Sequence, residues 1–339
     1  MRFSVGYQLP DEYVSLPEIC RRYSDGISDV FFSWGNEPSG RFPLGEEKFL
    51  ADITDCQSRE IREIKALGKS LTLLLNANCY GAEGASESFG RRTVNLVAEL
   101  IDRLSVDAVT TASPFIAQVL KAEFGRGLKI KASVNMRIGS VKAMGQLPYF
   151  DGFYIKKELN RNFEAIKELK EWCDGRGKEL YMLANSGCIT DCAYQTFHDN
   201  LIAHQTFENI EYGASATAAA PCHELLKSLG LLGGLAEFLG SGWVRPEEIK
   251  LYEPYFNEVK LATRMHQRPE MVIAAYCRGR FNGNLLDLTE PSFSHLFKGY
   301  VLDNTRISSE DALKLFGCDH RCHRCNACMR LAKEALVHL

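Results

Sequence analysis

The chain has 339 residues, 45% hydrophobic and 24% charged, a composition that allows one large or two medium globular domains with a sizeable core. A formal net charge of −3 excludes broad attraction to nucleic acid or anionic membrane and leaves only a local basic groove as a route to RNA. The opening MRFSVGYQLPDEY has no basic n-region and no long apolar stretch, and no apolar run reaches the roughly 20 residues of a membrane span, so no membrane association and a cytoplasmic location are expected.

In chain order, short runs rich in Val, Ile, Leu and Phe fall at Phe3–Tyr7, Asp29–Trp34, Ser70–Asn76, Asp107–Ala112, Lys129–Asn135, Gly152–Lys156, Glu179–Asn185 and Glu258–Thr263. Each is short enough to be a buried parallel strand. Helical patterns lie between most of them, clearest at Glu47–Leu67 and Arg92–Leu104, where apolar residues recur every three or four positions. Eight strands alternating with helices predict an α/β fold, a (β/α)8 TIM-barrel-like domain, with a doubly wound open sheet as the rival. The alternation breaks between Asn185 and Trp243, which predicts a Cys- and His-containing insertion after strand 7, about 186–245. The expected organisation is a barrel-like catalytic domain over 1–265, then a helical segment with a Cys-rich tail over 266–339.

The run ends carry polar or reactive residues: Asn76, Asn78 and Cys79; Ser113; Asn135 and Arg137; Lys156 and Lys157; Asn185, Ser186 and Cys188; Arg264. In a parallel barrel these ends converge on one face, where sites are built. Cys79 and Cys188 are thereby expected to be neighbours. Arg137, at a strand end, suits two-pronged binding of a carboxylate.

Twelve cysteines are many for a chain in a reducing compartment, where clustered thiols point to metal or catalysis. The tail reads Cys318-Asp-His-Arg-Cys322-His-Arg-Cys325-Asn-Ala-Cys328. Two-residue gaps let a turn aim successive sulfurs at one ion or cluster, and the interleaved His and Arg favour thiolate. Zinc and a four-iron four-sulfur (4Fe-4S) cluster both fit. The first three tail cysteines also match the CxxxCxxC radical S-adenosylmethionine pattern, but no barrel follows them. A second constellation is Cys188-Ile-Thr-Asp-Cys192 with Cys222; Gly187 would permit a tight turn exposing the Cys188 sulfur. Three such thiols suit three corners of a cubane, the fourth being Cys79, a tail cysteine or an outside ligand. An incomplete protein shell leaves the open position a Lewis-acid or redox catalyst needs. Three buried core cysteines is the plainer alternative. Cys20, Cys56 and Cys173 read as ordinary core or surface thiols.

Phe197-His198-Asp199-Asn200 follows closely, and His198 suits a ligand, a proton donor or a structural partner. His204 carries the same ambiguity. Trp243-Val-Arg-Pro-Glu-Glu248 looks like a helix start, its Arg245 either an anion binder or half of an ion pair. GxSxG, HExxH and GxxxxGK[ST] are absent, so hydrolase and nucleotide-cleaving readings have no motif behind them.

Taken together, Asn76-Ala-Asn-Cys79-Tyr-Gly81, Ala184-Asn-Ser-Gly-Cys188-x-x-x-Cys192, Phe197-His-Asp-Asn200, Trp243-Val-Arg-Pro-Glu-Glu248 and Gly283-Asn-Leu-Leu-Asp-Leu288 resemble the collagenase-like peptidase family U32. The resemblance runs from about residue 70 into the tail, which is similar to the terminal cysteine group of some members. It implies a barrel-like catalytic domain and a 4Fe-4S cluster in the region of Cys188, Cys192 and Cys222, with Cys79 as a weaker candidate. It also implies oxygen-independent hydroxylation of ubiquinone precursors, tRNA or ribosomal RNA, with prephenate as oxygen source. The chain departs from the family where Ala193 follows Cys192 in place of proline, and in lacking the extra C-terminal domain of RNA-modifying members.

The expectation is therefore an iron–sulfur enzyme performing oxygen-independent hydroxylation or related redox chemistry on a small or RNA-linked substrate. Arg137, Lys156 or Arg264 would neutralise a small anionic, prephenate-like substrate, and His198 would handle protons. The tail would hold a second 4Fe-4S cluster or zinc, and a protein partner of the same family is conceivable. A U32-type peptidase and a non-enzymatic iron–sulfur scaffold or electron-transfer partner are the alternatives.

Overall fold

The computed structural model describes residues 1–10, 14–40, 50–208 and 221–339. Eight parallel strands close into a barrel in sequence order: β1 (Arg2–Gly6), β2 (Ile27–Phe32), β3 (Ser70–Leu75), β4 (Ala108–Thr111), β5 (Lys129–Ala132), β6 (Gly152–Tyr154), β7 (Glu179–Leu183) and β8 (Glu258–Lys260). Closure comes from β8 pairing with β1, with Phe3 opposite Val259. All eight apolar runs are strands. Each run extends past its strand at the C-terminal end, where the chain leaves the ladder for the barrel mouth. The closed order disposes of the open-sheet rival.

Helices α1 (Leu16–Arg22), α2 (Leu50–Ala66), α3 (Glu87–Leu104), α4 (Pro114–Phe124), α5 (Val141–Gly145) and α6 (Phe163–Asp174) follow strands one to six. The first residues of the Glu47–Leu67 helical pattern lie outside the described residues. α3 buries Gly90, Thr93, Val97, Leu100 and Leu104, a three-and-four spacing that lays one stripe on the barrel. It begins a turn earlier than the Arg92–Leu104 pattern, because Ser86 caps it by accepting from the Phe89 amide at 3.1 Å. Ser113 likewise caps α4 through the Ile116 amide at 3.2 Å, which gives that strand-end serine a structural task.

Part of the barrel lumen is polar. Lys131 on β5 lies 3.3 Å from Thr72 on β3 and 3.7 Å from Glu258 on β8. Neither strand neighbours β5, so both contacts cross the interior. Asp29 accepts from Ser4 at 2.5 Å and Thr72 at 2.7 Å, and the Lys260 ammonium sits 3.7 Å over the Phe31 ring. Burial alone would lower the Lys131 pKa, but the carboxylates of Asp29 and Glu258 outweigh it and raise it, so the lysine stays charged.

The insertion after β7 carries α7 (Gln195–Glu208), α8 (Pro221–Ser228) and α9 (Gly230–Gly240); its residues 209–220 lie outside the described residues. After β8 come α10 (Pro269–Arg278), β9 (Tyr300–Leu302), α11 (Ser309–Leu313), α12 (Ala327–Ala335) and β10 (Leu336–His338), the last pairing antiparallel with β9. The Trp243–Glu248 motif forms a 3-10 helix over Pro246–Tyr252. Its Arg245 is buried, paired with Glu248 at 3.1 Å and bonded to the Ile307 carbonyl at 2.9 Å, which makes it a structural ion pair. No described helix is long and apolar enough to cross a membrane.

Candidate functional site

Where β7 ends, Asn185 is fully buried and acts as a clip. Its side chain donates to the carbonyls of Ala262 (3.0 Å) and Leu288 (3.1 Å) and accepts from the Ala262 amide (2.6 Å). One residue thus joins the ends of β7 and β8 to a segment a hundred positions away. Gly187 comes next, with its amide donating to Glu290 O at 2.9 Å. A Cβ there would collide with the Pro291 carbonyl oxygen and stand 2.8 Å from Thr289 Oγ1. Its φ is not positive, so the glycine serves close approach of two backbones rather than the tight turn expected from sequence.

The chain then delivers Cys188, turns through Asp191 in the left-handed region (φ 51°) and delivers Cys192. Cys222 arrives from the first turn of α8, behind Pro221 at N1. All three thiols line one cavity of about 670 Å3 at the barrel mouth, a volume suited to a small molecule. Burial pushes the Cys222 thiol up to about 11, and the charges of Cys188 and Cys192 push it the same way, so the three are within electrostatic reach. Among the described residues, no three Cys, His, Asp or Glu side chains are gathered as the ligands of a single ion.

Arg137 and His198 also line this cavity. Arg137, in a left-handed conformation, is already engaged: Nη2 donates to Asp199 at 3.1 Å and Nη1 to Thr196 at 3.2 Å. An incoming carboxylate would have to compete with Asp199. Cys79, Lys156 and Arg264 do not line the cavity. Cys79 packs against the core, with its neighbour Asn78 3.5 Å from Asp199. Lys156 lines a smaller cavity beside the tail, and the buried Arg264 donates to Ser39 at 3.0 Å. His204 faces a third cavity, with Tyr80 and Arg92.

Lys157, at a run end, lines the cavity and donates to Gln195 at 2.7 Å. Several other lining residues escaped sequence reasoning. Arg268 pairs with Asp287 at 2.7 Å. His266 accepts from the Arg268 amide through Nδ1, so its Nε2 holds the proton and donates to Asp287 O at 2.8 Å. Burial lowers its pKa, and both nitrogens are committed, so it braces the rim. His295 stands 5.0 Å from the His223 ring, whose pKa falls through burial and then through His295. Glu290, Ser292, Ser294 and His295 come from a polar stretch without periodicity that folds back over the mouth.

In the tail, Cys318, Cys322 and Cys325 are exposed and Cys328 is half-buried. Burial pushes Cys328 up to about 11, with Arg161 opposing and the other three tail thiols adding to the rise.

No protein-family model matches the chain. It is 25% identical over 288 residues to "Uncharacterized protease MJ1657" of Methanocaldococcus jannaschii, covering 82% of this chain and 81% of that protein. Its fold matches "The Structure of the U32 Peptidase Mk0906" with a TM-score of 0.54 and 19% identity, covering 77% of this chain and 92% of the other. Fold and site thus define a (β/α)8 barrel with a thiol-lined mouth. In sequence the chain is similar to a protein named as a protease, and in fold to a U32 peptidase.

Proposed function

We propose that the chain is an enzyme whose mouth cysteines hold a thiolate-ligated 4Fe-4S cluster and that it performs redox or hydroxylation-type chemistry on a small anionic substrate. The observation carrying this reading is the convergence of Cys188, Cys192 and Cys222, from two separate segments, on one cavity. The donor set suits a thiophilic centre. A cubane presents separate irons to separate thiolates, so the sulfurs need not meet at one point as they would around a single ion. When bound, a cluster held by three protein thiolates supplies an iron with a free coordination position.

The remaining chemistry belongs to the chain. Arg137, Lys157 and Arg268 face the cavity with carboxylate or amide partners already in place, so a substrate carboxylate would exchange for those partners, and discrimination would come from geometry. His198, which lines the same cavity as Cys192, would give or take the proton. Lys156 and Arg264, away from this cavity, take no part.

A second reading is favoured by the words protease and peptidase in the names of the two similar proteins. In this cavity such an enzyme would use Cys188 or Cys192 as nucleophile with His198 as base. Serine replacement of Cys79, Cys188, Cys192 and Cys222 one at a time separates the two. The cluster reading expects iron to fall in the last three variants and to persist in C79S, with no peptide cleavage by wild type. Iron unaffected by all four changes, with thiol-dependent cleavage of denatured collagen, would establish the peptidase instead.

A further inference from the structure

The four tail cysteines lie outside the mouth cavity, and the chemistry proposed above does not use them. Both ends of their segment are nonetheless pinned to one element. At the front, the Gly317 amide donates to Arg161 O at 2.8 Å. The guanidinium of Arg161 in turn bonds Leu239 O (2.7 Å) and Trp243 O (2.6 and 3.0 Å) at the end of α9. At the back, Cys328 opens α12, and α12 packs along α9; a Cβ on Gly240 would stand 3.8 Å from the Cys328 sulfur. α9 is joined directly to α8, and α8 carries Cys222.

Between the pins the backbone already serves the sulfurs. The His320 amide donates to Cys318 Sγ and the Ala327 amide to Cys325 Sγ, each at 3.4 Å and each from two residues further on. N–H donors aimed at sulfur favour thiolate, the form that binds metal. His320 itself is left-handed (φ 55°), and Cys318 and Cys328 line one small cavity with Arg161 and Lys156. As placed, no three of these side chains are gathered around a single ion; metal binding would bring the exposed Cys318, Cys322 and Cys325 toward the half-buried Cys328 by side-chain rotation.

We propose that Cys318, Cys322, Cys325 and Cys328 form a closed four-thiolate centre, for zinc or for a 4Fe-4S cluster, that fastens the tail to α9 and through it sets the position of α8. Four protein ligands leave no open position for substrate, so the centre serves as a fastening point and not as a substrate site. Its existence is independent of the mouth cluster; its consequence for Cys222 rests on that reading.

The test uses the full chain, purified anaerobically, with zinc, iron and sulfide counted per chain and amide hydrogen exchange followed by peptide. The C318S/C325S variant is expected to lose one zinc, or about four iron, and to exchange faster across 221–240 while the barrel strands keep their protection. Treating wild type with a chelator should reproduce this pattern, which guards against a variant that merely misfolds. Loss of zinc identifies a single ion, and loss of iron with sulfide a cluster; both support the centre. Unchanged metal in C318S/C325S would overturn it. Metal lost without faster exchange across 221–240 would overturn the fastening role. Tail metal retained in C188S/C192S, with no iron at the mouth in wild type, would uphold this centre while sinking the mouth reading.

Discussion

At the scale of single residues, the mouth depends on contacts between backbones far apart in sequence. Gly187 is the sharpest case. Alanine there meets the Pro291 carbonyl, a backbone atom that cannot swing aside. G187A is expected to destabilise the chain by about 1–3 kcal/mol, as overpacking does, read from denaturant unfolding, and to lower whatever metal the mouth binds. His266 gives a prediction in pH. Its folded-state pKa is depressed below the ordinary 6.5 by burial, so its contribution is present above about 6.5 and is lost as pH falls through the lower folded value. Unfolding midpoints of wild type should therefore drop below pH 6.5, and H266Q should flatten that part of the profile. An identical acid limb in H266Q would contradict the assignment. The thiols were legible in sequence because chemistry marks them. Arg268 and His295 were not, because nothing in a polar stretch says which side chains will turn inward.

Among elements, the strands were the easiest to read. A strand covered on both faces needs continuous apolar residues, and that leaves a run bounded by polar ends. Those ends also foretold the mouth, and Asn135, Arg137, Lys157, Ser186 and Cys188 do line it. Helix starts were harder. Glu87-Ser-Phe-Gly90 has no apolar period, yet it is helical because Ser86 caps the Phe89 amide. S86A is expected to cost about 1 kcal/mol, the usual worth of an N-cap, and to fray α3 without touching the mouth; thermal unfolding and an unchanged metal content would check both halves. The segment 281–297 was the least legible. Its place is fixed by Asn185 to Leu288 and Gly187 to Glu290, bonds spanning about a hundred residues that no local pattern records.

For the whole molecule, alternation of strand and helix was enough to give a closed barrel, and parallel closure puts all eight C-terminal strand ends on one face. What alternation could not reveal was the lumen. Asp29 and Glu258 open apolar runs and Lys131 and Lys260 lie within them, yet several of these charges meet one another inside the barrel. The geometry of the mouth, three thiols in a cavity of about 670 Å3, makes cluster binding there the central claim. The most direct measurement is iron and sulfide content, with an absorption spectrum, on anaerobically purified wild type and on C318S/C325S. About four iron and four sulfide in C318S/C325S, with a broad band near roughly 400 nm present in both proteins, is the expected result. No iron in any anaerobic preparation would contradict it and leave the thiols of the mouth to a peptidase.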